Sequence, residues 1–231
     1  MAGERGFQYE NSVYSTLLEN NLTNSRYKPS GSGSGVDSAF KIKNKFYNLE
    51  IKLDLKADFG QGTLRYNWDD KKWESYADSQ TMKELLDYFN VSDFANEKWT
   101  KIPNKVGVND TGKSKPKIKT LSQREINEDK KNFPDYFLDL KGRNPIAEYY
   151  NSKDIYYIQI GGFYGFYYLG EDKAKLGVPE FNPRGQKIRI RRKGSGGNNY
   201  RFTTALLVNT SIPRSDYDLD KSLNFILNAS R

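Results

Sequence analysis

The chain has 231 residues, with 37 lysines and arginines against 29 aspartates and glutamates, a formal charge of +8, and neither cysteine nor histidine. That length can bury a core, and the missing residues exclude disulfides, Cys/His zinc sites, Ser-His-Asp or Cys-His catalysis and histidine bases. A hydrolase of this composition is left with carboxylates, a hard metal and lysine, and the positive balance favours a polyanionic partner as well as solubility.

The first residues, MAGERGFQYE, lack the apolar run of a signal peptide, and no segment approaches a membrane span, so a cytoplasmic protein is expected. Gly6 to Leu22 reads as a helix with Phe7, Val13, Tyr14, Leu17 and Leu18 on an apolar stripe and Glu4 and Glu10 early, where the helix dipole favours carboxylates. Glu10 lies three residues after Phe7 and four before Tyr14, within or beside that stripe, where a bare carboxylate is costly unless paired or bound to metal. A stripe-edge glutamate reaching solvent or a lysine is the plainer alternative. From Ser25 to Gly35 the chain turns Gly/Ser-rich. Arg26, Lys28 and the run holding Ser32 and Ser34 are candidates to bring backbone amides to phosphates, and a plain linker fits equally well.

Val36 to Ile42 and Phe46 to Leu53 read as a β-hairpin around Asn44-Lys45. A two- or four-residue loop there sets Asp37 opposite Lys52, Ala39 opposite Glu50 and Lys41 opposite Asn48, so Asp37, Glu50 and Lys52 share one face. Val36, Phe40, Ile42, Tyr47, Leu49, Ile51 and Leu53 take the other, a core face. Opposed residues lie about 5 Å apart at Cβ and diagonal ones about 7 to 8 Å, within reach of one divalent cation. Such a trio suits phosphodiester hydrolysis, with carboxylates on a metal and a lysine orienting or activating water. The same pattern is also an ordinary solvated hairpin face.

Asp37, twelve intervening residues and then Glu50-Ile51-Lys52 resemble the PD-(D/E)xK nuclease motif, with Val36 standing where that superfamily often has proline. The resemblance implies magnesium, with manganese able to substitute, held by Asp37, Glu50 and Ile51, with Lys52 at the attacking water and Glu10 as a further ligand. The stretch GFQYE and the Gly/Ser loop are similar to Holliday-junction resolvases. The order of acid, Phe-Tyr, Glu-x-Lys and Gly60-Gln61, with a late basic strand followed by Gly-Ser, is similar to type II restriction endonucleases of the HhaI kind.

After the hairpin, Thr63 to Trp68 reads as a third strand beside Glu50, with Gln61 a candidate for touching the metal-bound water or a phosphate, or simply a loop residue. Trp73 to Tyr76 is a returning strand and Ser79 to Phe89 a capped amphipathic helix. Lys101 to Lys119 holds six lysines against one acid with no periodicity, a long loop that is either solvated or a binding arm. Leu121 to Leu140 reads as one or two helices broken at Pro134, and Pro145 to Tyr150 as a short one. Ile155 to Ile160 and Phe163 to Leu169 flank Gly161-Gly162, which suits a two-residue hairpin loop, with their aromatics in the core. In Gln186 to Lys193, Lys187, Arg189, Arg191 and Lys193 fall on one face and Ile188 and Ile190 on the other. Seven basic residues and no acid lie between Asn182 and Thr203, including Arg192 and Arg201, so this strand is the candidate DNA-binding surface. Tyr200 to Asn209 returns as an apolar strand and Asp218 to Asn228 closes with a helix.

The expected fold is mixed α/β, a restriction-endonuclease-like central mixed sheet flanked by helices with a β-rich C-terminal elaboration. It is expected as a single domain, with a catalytic core over about 1–100 and a DNA-recognition elaboration over about 101–231. The expected activity is magnesium-dependent endonucleolytic hydrolysis of double-stranded DNA, as in restriction-modification. A resolvase-like structure-specific nuclease and a non-catalytic DNA-binding protein are the alternatives. A homodimer would match a palindromic site, although no dimer helix stands out.

Overall fold

A computed structural model describes residues 2–30, 36–194, 197–208 and 212–230. In chain order its elements are α1 (Ala2–Glu19), β1 (Ser38–Ile42), β2 (Lys45–Lys52), β3 (Gly60–Asn67), β4 (Lys72–Tyr76), α2 (Gln80–Tyr88), α3 (Val91–Lys98), α4 (Gln123–Asn132), β5 (Tyr136–Leu140), α5 (Pro145–Asn151), β6 (Ile155–Ile160), β7 (Gly165–Tyr168), β8 (Gln186–Lys193), β9 (Arg201–Val208) and α6 (Asn224–Ser230). The fold is mixed α/β, as expected. It forms two compact units that interleave along the chain: residues 1–57, 144–184 and 208–231 make the first, and 58–143 with 185–207 the second. Each unit's sheet recruits strands far apart in sequence.

In the first unit the sheet order is β1-β2-β6-β7. β1 and β2 form the expected hairpin, but two residues out of the expected register: Ala39 pairs with Asn48 and Lys41 with Phe46. The turn is Lys43-Asn44, with Lys43 at φ 52°, rather than Asn44-Lys45. A shift of two preserves parity, so every side chain keeps its predicted face. β2 then pairs in parallel with β6, Glu50 opposite Ile158, and is therefore a central strand. Phe40, Leu49 and Ile51 pack with Val13 and Leu17 of α1, Tyr157, Phe166, Leu219 and Ile226 in one core. Phe7 and Leu18, expected on the apolar stripe of α1, are 37% and 43% exposed. The β6–β7 loop has four residues, 161–164, instead of two, with left-handed φ at Gly162 and Phe163. The last helix begins at Asn224, because residues 218–222 form a turn closed by hydrogen bonds to the Asp218 carbonyl.

In the second unit the order is β4-β3-β9-β8-β5. β3 therefore does not pair beside Glu50 as expected; it lies between β4 and β9. The segment after Pro134 is strand β5, paired with β8, and not a helix, because Tyr136-Phe137-Leu138 is a β-prone run. Trp73 and Trp99, 1% and 2% exposed, form an aromatic cluster with Phe133 and Phe202. Ser79 caps α2 through Met82 N–H, and Ser122 with Glu125 forms a capping box on α4. The loop 101–119 is stapled down by carboxylates. Asp129, fully buried, accepts from the backbone N–H of Asn104 and Lys105 and from the Tyr200 hydroxyl. Asp69 accepts the backbone N–H of Lys113 and Ser114, and Asp110 that of Tyr66. Among the described residues no helix is long and apolar enough to cross a membrane.

Candidate active site

The residues that the sequence singled out on the hairpin converge in the first unit. Glu50 and Lys52 are two apart on β2 and share a face. Asp37 immediately precedes β1, and one further step of the observed register sets it opposite Glu50 rather than Lys52. Its Oδ2 accepts the Ile51 N–H at 2.9 Å, which ties the carboxylate to β2. Lys52 Nζ stands 3.9 Å from the same oxygen and makes an ion pair with Glu50 Oε1. From α5, the Tyr150 hydroxyl donates to that Glu50 oxygen at 2.9 Å, a buried bond. With Tyr150 of α5 against it, the polar face is largely covered rather than solvated: the side chains of Asp37, Glu50 and Lys52 are 21%, 8% and 18% exposed.

Burial shapes the charges. The Asp37 carboxyl is pushed up to about 7 by desolvation and by the Glu50 charge, against the pull of Lys52 and the Ile51 N–H. Desolvation also raises the Glu10 carboxyl above its ordinary value, with Lys52 pulling it down and Glu50 pushing it up, so Glu10 belongs electrically to the cluster. For Lys52, burial favours the neutral amine, but the charges of Glu50 and Asp37 outweigh it and hold the ammonium above the ordinary lysine range. Burial, then the Glu50 and Asp37 charges, raise the Tyr150 hydroxyl, which stays a proton donor.

The donor set is all oxygen, which suits magnesium, an ion that takes one or two carboxylates and completes its shell with water and phosphate oxygens. A cation would also offset the desolvation and, after it, the Glu50 repulsion that together raise Asp37, so the pair Asp37 and Glu50 fits such an ion. Among the described residues no three acidic side chains form a group able to cage a metal, so Glu10 does not complete a preformed three-carboxylate site. The Ile51 side chain, 1% exposed in the core, leaves only its backbone for a ligand role.

The remaining candidates lie elsewhere. Gln61, on β3 in the second unit, donates to Asp58 Oδ2 at 3.0 Å and accepts from Lys193 Nζ at 3.1 Å. On β8, Ile188 and Ile190 are fully buried while Arg189, Arg191 and Lys193 gather on Asp58. Lys187 lies over the Phe137 ring at 4.6 Å, Arg192 over Tyr200 at 3.9 Å, and Arg201 is exposed at the start of β9. Ser32 and Ser34 lie outside the described residues. Sequence reasoning missed Tyr150 and Asp58. Tyr150 sits in a short helix that reads only as packing, and Asp58 carries no motif; its one signal is that four like charges on one strand face call for an anion.

No family model, curated protein or solved structure matches the chain. Function therefore rests on the geometry of the site.

Proposed function

We propose that the protein is a magnesium-dependent endonuclease that hydrolyses phosphodiester bonds in duplex DNA, of the type II restriction kind. One observation carries this reading: the Asp37 carboxylate just before β1 and the Glu50 carboxylate and Lys52 ammonium of β2 meet on a largely covered face, with Asp37 raised to about 7. Asp37 and Glu50 would hold the cation, with Tyr150 fixing the Glu50 oxygen that Lys52 shares. When bound, the ion would stabilise charge on a phosphate oxygen and make its water a better nucleophile. Lys52, held as an ammonium by its neighbours, would orient that water and offset charge building on the phosphate. The basic strand β8 and Arg201 supply sequence-independent attraction for the DNA backbone.

The test is nicking of supercoiled plasmid. Nicking with magnesium or manganese that stops in chelator and in Lys52→Ala supports the reading, and no nicking with either ion overturns it. Discrete fragments from a linear duplex distinguish a restriction-type enzyme from a resolvase. A second reading, a DNA-binding protein without catalysis, is favoured by the direct pairing of Lys52 with both carboxylates, as in a purely structural ion network. It predicts duplex binding that is indifferent to magnesium.

A further inference from the structure

The charge arrangement on β8 is unusual within its own unit. Asp58 Oδ1 accepts Arg189 Nη2 at 2.9 Å, and Oδ2 accepts Arg191 Nη2 at 2.6 Å, Lys193 Nζ at 3.3 Å and Gln61 Nε2 at 3.0 Å. Three cations thus share one two-oxygen anion, which leaves an excess of two positive charges (3 − 1 = 2) at that carboxylate. Asp135 stands 3.9 Å from Arg189 Nη1 but is 46% exposed, so its charge is screened.

The donors are also incompletely used. Each arginine gives Asp58 a single Nη, and the Nε of both Arg189 and Arg191 is buried with no acceptor. A guanidinium grips an oxyanion best side-on, through two parallel N–H groups, and a buried N–H without a partner is costly. A phosphate, with more oxygens arranged tetrahedrally, offers acceptors for the two unpartnered Nε–H groups in addition to the donors that Asp58 already serves. Asp58 sits in the irregular segment just before β3 rather than in a strand ladder, so its side chain can withdraw without unpairing the sheet.

We infer that Arg189, Arg191 and Lys193 form a binding site for a phosphate oxyanion, and that Asp58 occupies it in the free protein as a built-in competitor. The ligand class is a phosphodiester or polyphosphate; that DNA is its source rests on the nuclease reading. Binding then requires Asp58 to leave, which holds affinity down for weakly engaging anions and reserves the site for a ligand that offers several phosphates in register.

The experiment compares wild type with Asp58→Asn, titrated with inorganic tripolyphosphate and separately with a short duplex in a salt series without divalent metal. Asp58→Asn should bind both about tenfold more tightly, as expected when a competing charge is removed. Its duplex binding should show a salt slope steeper by about one. Adding Arg191→Gln to Asp58→Asn should abolish the gain. Unchanged or weaker tripolyphosphate binding by an Asp58→Asn variant whose far-ultraviolet dichroism matches wild type overturns the proposal. Should Asp58→Asn not fold, wild type decides. Tripolyphosphate should raise its melting temperature, and raise that of Arg191→Gln less; no rise in wild type overturns the site. A gain for tripolyphosphate without one for duplex supports the anion site and counts against DNA as its source. Loss of plasmid nicking bears on the nuclease reading alone.

Discussion

Asp37 makes the free protein's stability depend on pH in a definite direction. Its carboxyl titrates near 7 in the fold against the ordinary carboxylate range in the unfolded chain, so the folded state holds the extra proton between those limits. Stability from this group is therefore full at acid pH and declines as pH rises toward about 7. Asp37→Asn, which keeps an acceptor for the Ile51 N–H, should raise stability at about pH 8 by about 1 to 3 kcal/mol and much less at about pH 4.5, measured by urea unfolding. Magnesium should raise the wild-type melting temperature at about pH 8 and leave Asp37→Asn unmoved. Equal shifts in both proteins would remove Asp37 from the proposed ligands. Tyr150→Phe should cost about 1 to 2 kcal/mol, because the buried Glu50 oxygen loses a donor but keeps Lys52. Lys52→Ala leaves two carboxylates facing each other, so it should lose plasmid nicking while magnesium binding, followed by calorimetry, persists. At this scale the trio was legible because any even-numbered shift of the hairpin register leaves the same side chains on the same face, and the observed shift is two. Tyr150 was not, since it reaches Glu50 from one hundred residues away.

At the scale of elements, β3 shows how tightly the second sheet is fitted. A Cβ at Gly62 would lie 2.6 Å from Thr204 Oγ1, 2.9 Å from Leu86 Cδ1 and 2.9 Å from the Tyr76 carbonyl oxygen. Two of these neighbours are in the strand pairs on either side, so the sheet cannot give way locally. Gly62→Ala should destabilise by about 1 to 3 kcal/mol by urea unfolding, as overpacking does. A neutral effect would mean that β3 is free to shift against β9. Strands with alternating burial, such as β8, were readable from period alone. Residues 136–140 were not, because a five-residue run after a helix is too short for periodicity to separate the two classes. The hairpin register slipped by two for a related reason: a left-handed residue at the turn is usually glycine or asparagine, and here it is Lys43.

For the whole molecule, the order of helices and strands along the chain pointed to a mixed fold, while the interleaving of the two units had no local signal. A parallel pair such as β2 with β6 has more than a hundred residues between its strands, and nothing in either strand names the other. The same interleaving sorts the aromatic residues. All three tryptophans, Trp68, Trp73 and Trp99, fall in the second unit, and the first holds only tyrosine and phenylalanine. The protein thus carries its own spectroscopic partition. Emission excited at the red edge of the absorption band reports the basic-strand unit alone, whereas far-ultraviolet dichroism reports both. Tryptophan emission followed during a tripolyphosphate titration would therefore read the unit that holds Asp58 and β8 without any label.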